Sequence, residues 1–286
     1  MAEQTSAEQT RAGNRESSTG DARRSHKPHR PLKGRLHYWW SLFVAGMLLL
    51  IFGPPSIIVS YLANRRHWVY PWGRFGARNW LRLSGVEVRV SGRKHLDPRQ
   101  TYIFVSNHRS FLDTAALFYY AGADGRRIGL LAKKELLKVP IMGYGMGYVN
   151  IMAIDRSNRE RAIETVRAAT ERIKSGISFG VFAEGTRALP GELLPFKKGA
   201  FYMALDAGVP IVPVAMKNTD NLMGKGTGVA RAGVMELVFL PPVETRGLLK
   251  DDDDKDEVVN QLVARVHDSV ARELGLEKKA SNKKVK

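Results

Sequence analysis

The string NHRSFLD, residues 107–113, places a histidine and an aspartate five positions apart. On one continuous α-helix this spacing would set the two side chains about 140° apart, so they would not meet. They can meet if His108 lies on a bend and Asp113 lies in the first turn of the helix that follows. Asp113 would then fix the imidazole tautomer, and His108 would act as a general base near neutral pH. The motif therefore predicts a His108–Asp113 dyad.

Two other interpretations of the same string remain open on the residues alone. Ser110 and Asp113 have the spacing of a capping box, in which the carboxylate accepts a hydrogen bond from the N-cap amide and His108 is an ordinary loop residue. Ser106 and Ser110 also flank the histidine, which would suit a serine hydrolase. The chain contains no G-x-S-x-G nucleophile elbow, which disfavours the hydrolase.

A second motif, FAEGTR (182–187), directly follows a predicted strand. Glu184 and Gly185 form a turn, Thr186 offers a hydroxyl, and Arg187 offers a planar fork of donors. Arginine binds phosphate through two hydrogen bonds at once, and backbone amides at such a turn add further donors. The motif predicts a phosphate site, although an ordinary glycine turn would look the same.

Two more cations follow other predicted strands, namely Arg156 in MAIDRSNRE and Lys133 in LLAKKELLKVP. Taken separately, each is typical of a solvated surface charge. The carboxyl ends of parallel strands lie at one edge of a sheet, where ligands bind. The sequence therefore predicts that His108, Lys133, Arg156 and Arg187 share one edge.

Short β-branched runs alternate with helical patterns from residue 85 onward, which predicts an α/β fold with a mainly parallel sheet flanked by helices. The predicted strands are 86–90, 102–107, 128–133, 149–154, 177–183, 210–216 and 234–240. The predicted helices are 111–121, 158–175, 198–207 and 255–274.

The composition limits the function classes. A 286-residue chain with 44% hydrophobic residues is long and apolar enough to fold around a substantial core. The net charge of +17 indicates a polyanionic partner, such as nucleic acid, an anionic membrane or phosphorylated substrates. The absence of cysteine removes disulfides, thiol nucleophiles and cysteine-bound zinc.

Residues 38–62 carry no charged side chain and predict a membrane segment. Because Pro54-Pro55 should end the helix, the stretch before it reaches only about 24 Å, short of a hydrocarbon core of roughly 30 Å. Basic residues flank both ends, which favours both ends on the cytoplasmic side. We therefore expect a membrane-embedded helical hairpin, with one ordinary spanning helix as the alternative.

These patterns predict four regions along the chain. Residues 1–36 form a disordered basic tail, 37–84 a membrane-associated helical segment, 85–275 an α/β domain, and 276–286 a second basic tail.

The order of NHRSFLD, IDR (154–156), FAEGTR with LPFKKGA (194–200), and GVPIVPVAM (208–216) resembles the four motif blocks of the glycerolipid acyltransferases, and is most similar to the lysophosphatidic acid acyltransferases. The resemblance covers roughly residues 85–245. It departs from the family pattern at Ala183, where the family commonly has proline.

The resemblance implies that His108 is the general base and that Asp113 orients it. It implies that the acceptor phosphate is held by Lys133, Arg156, Glu184, Gly185, Thr186 and Arg187. It further implies acyl transfer from acyl-CoA or acyl carrier protein to the sn-2 hydroxyl of lysophosphatidate, with membrane lipids as partners and with no metal or cofactor. Glycerol-3-phosphate or another lysophospholipid is an alternative acceptor. A basic protein that binds a membrane or nucleic acid without catalysis is a distant alternative. The body carries no nucleic-acid motif, and the basic tails with the apolar segment already account for much of the charge.

Overall fold

The computed structural model describes residues 31–250 and 253–276, and these fold around one seven-stranded sheet. The strands are β1 (Val86–Ser91), β2 (Ile103–Ser106), β3 (Ile128–Lys133), β4 (Ile151–Ile154), β5 (Ser178–Phe182), β6 (Ile211–Lys217) and β7 (Gly233–Phe239). Their spatial order is β1-β7-β6-β2-β5-β3-β4. All neighbours pair in parallel except β6 and β7, which are antiparallel. The mainly parallel sheet predicted from the sequence is confirmed.

The helices cover both faces of this sheet. They are α1 (Leu32–Leu62), α2 (Val69–Leu83), α3 (Leu112–Ala121), α4 (Met142–Gly145), α5 (Arg159–Lys174), α6 (Gly199–Ala207), α7 (Thr219–Met223) and α8 (Lys255–Glu273). Short 3-10 turns occur at Arg66–Trp68, Arg93–His95, Lys134–Lys138 and Met146–Val149. Helices α5, α6 and α8 pack on one face, and α2 and α3 pack on the other.

The sheet has a hydrophobic core on each face, and side chains that alternate in direction along the central strands contribute to both. In β2, Ile103 and Val105 face the α5, α6 and α8 side, whereas Phe104 faces α2 and α3. Successive strand residues point to opposite faces, and a strand covered on both faces is apolar throughout. The four residues of β2 are accordingly all buried, so the chain that leaves β2 starts from a rigid position.

Helix α1 differs from its predicted form. It begins at Leu32, inside the predicted tail, and runs through Pro54 and Pro55 without ending. The prediction of a break at these prolines was therefore wrong. The chain reverses later, at residues 63–68, and α1 packs along α2. Residues 1–30 and 277–286 of the two predicted tails lie outside the described residues.

Packing explains why the proline pair is tolerated. Proline lacks the amide hydrogen that would bond the carbonyl four residues earlier. Just before the two prolines, Phe52 contacts Trp72 and Phe75 of α2, with ring centroids 5.8 and 5.0 Å apart. The Ser56 hydroxyl also donates to the Gly53 carbonyl at 2.8 Å. At about 1.5 Å per residue, the 31-residue helix spans about 46 Å.

The sheet order places the four predicted motif strands side by side. Strands β2, β5, β3 and β4 are consecutive neighbours and all run in the same direction. The segments after them are therefore brought to one edge of the sheet. The shared edge predicted for the chemical motifs is present.

Candidate active site

The bend after β2 brings His108 and Asp113 together. Strand β2 ends at Ser106 and α3 begins at Leu112, so Asp113 lies in the first helical turn. The Nδ1 atom of His108 lies 3.0 Å from Oδ2 of Asp113. The Asp113 side chain is fully buried, while 17% of the His108 side chain is exposed. The contact expected from the spacing is thus formed, with the imidazole at the boundary between core and solvent.

The same carboxylate oxygen also fulfils the capping interpretation. Oδ2 of Asp113 accepts hydrogen bonds from the backbone amides of Arg109 at 2.7 Å and Ser110 at 2.8 Å. Both amides lie in the bend just before α3, and the carboxylate is their acceptor. Because an acceptor-only carboxylate faces Nδ1, that nitrogen carries the proton and Nε2 keeps its lone pair. Capping and orientation of the imidazole therefore coexist.

The two serines considered as nucleophiles have structural partners. Ser110 is fully buried, and its hydroxyl donates to the Met223 carbonyl at 2.9 Å. Ser106 is also buried, and its hydroxyl donates to the Asn107 carbonyl at 3.0 Å. Neither hydroxyl bonds the imidazole, so the geometry does not build a serine–histidine pair.

Glu184 holds the backbone of the histidine bend. One oxygen accepts from the His108 amide at 2.7 Å, and the other accepts from the Leu194 amide at 2.9 Å. The His108 carbonyl in turn accepts from the Ala188 amide at 2.8 Å. The imidazole stacks on Phe182 at the end of β5, with centroids 4.1 Å apart. Burial raises the pKa of Glu184 to about 7, although both amide hydrogen bonds act in the opposite direction.

The arginines of the other motifs lie around this bend. The guanidinium of Arg156 donates to the Gly185 carbonyl, which joins the end of β4 to the FAEGTR turn. The guanidinium of Arg187 lies 3.7 Å from the ring centroid of Phe111, inside the NHRSFLD string. These contacts bring together the NHRSFLD bend, the end of β4 and the FAEGTR turn. Thr186 of that turn is exposed.

Lys133 is more loosely held than the arginines. Its side chain is 60% exposed, and its ammonium pairs with Glu135 at 3.3 Å. The next lysine, Lys134, instead reaches Asp155 at 2.8 Å, beside Arg156. This pair and a hydrogen bond from Ser157 hold the pKa of Asp155 well below its usual range.

Two supporting residues escaped the sequence reasoning. Arg109 is buried, and its Nε donates to the Glu192 carbonyl at 2.9 Å. Its Nη1 lies 3.5 Å from Asp220, which also accepts from the Gly191 amide at 3.0 Å. Together they fasten the loop between β5 and α6 to the histidine bend. Arg109 is visible in NHRSFLD, but nothing in the sequence indicates its partner 111 positions away.

The described residues contain no group of three or more histidine, aspartate or glutamate side chains that could hold a metal ion. The chemical groups that converge here are one histidine on a buried carboxylate and a set of cations. This arrangement can take a proton from a hydroxyl and bind a phosphoryl group beside it.

Comparison with known proteins places these motifs in one sequence family. The family described as Acyltransferase matches residues 87–217. An uncharacterised acyltransferase of Schizosaccharomyces pombe is 37% identical over 224 residues, which cover 76% of this chain and 79% of that protein.

Other relatives carry more specific names. The 1-acyl-sn-glycerol-3-phosphate acyltransferase of Saccharomyces cerevisiae is 38% identical over 172 residues, which cover 59% of this chain and 55% of the relative. The human alpha enzyme of that name is 37% identical over 171 residues, with 59% of each chain covered. The chain thus spans less than two thirds of the length of these curated relatives.

The fold is shared with a solved structure. The crystal structure of the 1-acyl-sn-glycerophosphate (LPA) acyltransferase PlsC from Thermotoga maritima matches with a TM-score of 0.71 and 24% identity. The match covers 87% of this chain and 99% of that one.

Proposed function

The chain belongs to the acyltransferase family, and we propose that it transfers a fatty acyl group from an acyl thioester to the free sn-2 hydroxyl of lysophosphatidate, giving phosphatidate. The observation that carries the proposal is the 3.0 Å contact between His108 and the buried Asp113, set beside cations on neighbouring strand ends. The names of the curated relatives that match this chain support the choice of acceptor.

The proposed reaction needs no covalent intermediate on the protein. Nε2 of His108 removes the proton of the acceptor hydroxyl while the hydroxyl oxygen attacks the thioester carbonyl carbon. A carbon–oxygen bond forms, the carbon–sulfur bond breaks, and the imidazolium returns the proton to the departing thiolate. Asp113 keeps Nδ1 protonated and stabilises the imidazolium, and base catalysis of this kind contributes roughly 10²–10⁴ in rate.

The cations have a separate role in the proposal. Arg156 and Arg187, with Lys133 and the Gly185–Thr186 turn, hold the acceptor phosphate so that the hydroxyl faces the thioester. Fixing two reactants in this way removes much of the entropic barrier to their encounter. Glu184 supports the site indirectly, because both of its oxygens accept hydrogen bonds from backbone amides and so hold the bend of His108 in place.

We also propose that the protein acts at a membrane, with its site facing the cytoplasm. Among the described residues, α1 is the one helix whose length and composition would allow it to cross a membrane, and only 17% of its most apolar window is buried. Its exposed face carries large apolar side chains such as Trp39, Phe43 and Leu50. A surface of this kind fits the acyl chains of lipid substrates and the lipid around them.

Mass spectrometry of the reaction products tests the acceptor and the donor together. Purified protein is incubated with lysophosphatidate, glycerol-3-phosphate or lysophosphatidylcholine, each with acyl-CoA and with acyl-carrier protein. The proposal predicts phosphatidate from lysophosphatidate and a preference of at least tenfold for that acceptor. Acylation of glycerol-3-phosphate alone would show that glycerol-3-phosphate is the acceptor. The absence of an acylated product from every pair would overturn the proposed function.

A further inference from the structure

A lysine outside the predicted site residues lies over the FAEGTR turn. Gly185 has a positive φ of 72°, and a β-carbon built there would lie 3.1 Å from Nζ of Lys197 and 2.8 Å from its Cε. The Lys197 amide donates to the Ala183 carbonyl at 2.8 Å, which anchors the lysine to the end of β5. Glycine therefore serves two needs at position 185, a left-handed turn and room for the end of this lysine.

Arg156 approaches the same peptide, because its guanidinium donates to the Gly185 carbonyl. Two cations from different elements, the β4 end and the loop before α6, thus converge on one glycine. Arg156 and Lys197 are both exposed to solvent.

These two cations lack the carboxylate partners of their neighbours. Lys133 pairs with Glu135, Lys134 with Asp155, and Arg109 with Asp220. Within residues 31–250 and 253–276, neither Arg156 nor Lys197 has a carboxylate within 4.0 Å, and Glu135 influences Arg156 only at longer range. Convergent positive charges without a carboxylate form a site for an anion.

We propose that Lys197 and Arg156 form a phosphoryl-binding pair at the Gly185 turn, so that Lys197 is a further substrate-binding residue. The inference rests on the proposed function for its substrates. Arginine supplies a planar fork of donors, whereas lysine supplies a compact charge that can approach a phosphoryl oxygen from another side. The phosphoryl group belongs either to the acceptor or to the nucleotide of the acyl donor, and the two sources are separated by kinetics.

The test compares Lys197→Gln with Lys198→Gln, a matched change at the adjacent exposed lysine. We expect Lys197→Gln to raise one KM about tenfold and to change kcat by less than about threefold, since the bond is charge-assisted but solvent-exposed. Lys198→Gln should leave both constants within about twofold of the wild type.

Two arms identify the source of the phosphoryl group. A raised KM for lysophosphatidate assigns the pair to the acceptor. A raised KM for acyl-CoA, with an unchanged KM for an acyl-N-acetylcysteamine thioester that lacks phosphate, assigns it to the donor. Equal constants for Lys197→Gln and Lys198→Gln in both arms would overturn the proposal.

Binding of inorganic phosphate gives a readout that does not depend on turnover. Isothermal titration of the wild type and both variants should show a Kd about tenfold weaker for Lys197→Gln alone. This result without any acyl transfer by the wild type would overturn the proposed function and leave the phosphoryl site standing. The reverse result, transfer by the wild type with identical phosphate Kd values in all three proteins, would overturn the site.

Discussion

Asp113 and Glu184 are two buried carboxylates in the described part of the chain that serve one histidine differently. Asp113 contacts the imidazole and two amides of the bend, so its carboxylate lies beside the ring. Glu184 contacts the backbone of His108 and of Leu194. The first carboxylate contacts the ring itself, and the second holds the backbone of the bend that carries the ring.

Stability should report the ionisation of Glu184. Its folded pKa of about 7 lies above the ordinary value of 4.5, so between these pH values the folded state binds more protons than the unfolded state. The contribution is fully present below pH 4.5 and is lost as the pH rises through about 7. Its limiting slope is about 1.4 kcal/mol per pH unit.

Glu184→Gln cannot titrate, so it provides the comparison. We expect the difference in unfolding free energy between wild type and Glu184→Gln, measured by urea denaturation from pH 4.5 to 8, to change in favour of the variant as pH rises. Parallel stability curves for the two proteins would show that the carboxyl does not titrate in this range.

Sequence reasoning reached the residues that act through their own motif and missed those that act across the fold. His108 and Asp113 are five positions apart, so the geometry of one bend and one helical turn was enough to predict their contact. Glu184 lies 76 positions from His108 and bonds its backbone, a partner that no residue type reveals. Lys197 stands in the LPFKKGA motif, but its approach to Gly185 was not predictable because it depends on a loop of a dozen residues.

The elements themselves were predictable where the pattern is local. All seven predicted strands and all four predicted helices of the α/β region are present, with ends shifted by no more than two residues. The strands are short apolar runs and the helices carry an apolar stripe, and both patterns can be recognised locally. The course of α1 was not predictable this way, because contacts with α2 outweigh the local effect of Pro54 and Pro55.

Close packing within the sheet should make Gly129 of β3 intolerant of a side chain. A β-carbon there would lie 2.6 Å from the Asn150 carbonyl oxygen, which accepts from the Leu130 amide, and 2.6 Å from Cζ of Phe179, which is fully buried. Overpacking of this kind destabilises by about 1–3 kcal/mol. We expect Gly129→Ala to lower the urea midpoint accordingly.

The control for this change is Gly147→Ala. A β-carbon at Gly147 would meet nothing within 4 Å, and its φ is not positive. Its free energy of unfolding should stay within about 1 kcal/mol of the wild type. Equal midpoints for the two variants would contradict the packing described at β3.

At the scale of the whole molecule, the apolar surface and the candidate site occupy adjoining parts of the fold. Helix α1 covers α2 and turns Trp39, Phe43 and Leu50 outward. The first half of α1 approaches the edge of the sheet that carries the candidate site. There the Ser41 hydroxyl lies 2.7 Å from the hydroxyl of Ser84, which comes just before β1. Under the proposed function, a lipid acceptor that comes from a membrane would pass along this surface.

Vesicle binding tests that surface. Trp39 and Phe43 are one helical turn apart and more than half exposed, so changing both to glutamine should preserve the fold. Full burial of such a side chain contributes about 1.5–3 kcal/mol, so the pair should weaken binding to anionic phospholipid vesicles at least tenfold in a sedimentation assay.

Leu248 and Leu249 supply the matched control. They are also exposed apolar residues, and the chain that leads to them leaves β7 at the opposite edge of the sheet, where Val243 pairs with Ile211. The double change to glutamine there should leave vesicle binding unaltered. Equal losses in the two double variants would show that binding does not depend on α1.

The most direct measurement is the turnover of purified His108→Ala with lysophosphatidate and acyl-CoA. We expect a loss of roughly 10²–10⁴ in kcat, with thermal unfolding and vesicle binding close to those of the wild type. Phosphatidate formation at the wild-type rate by a folded His108→Ala protein would contradict the assignment of this histidine as the base.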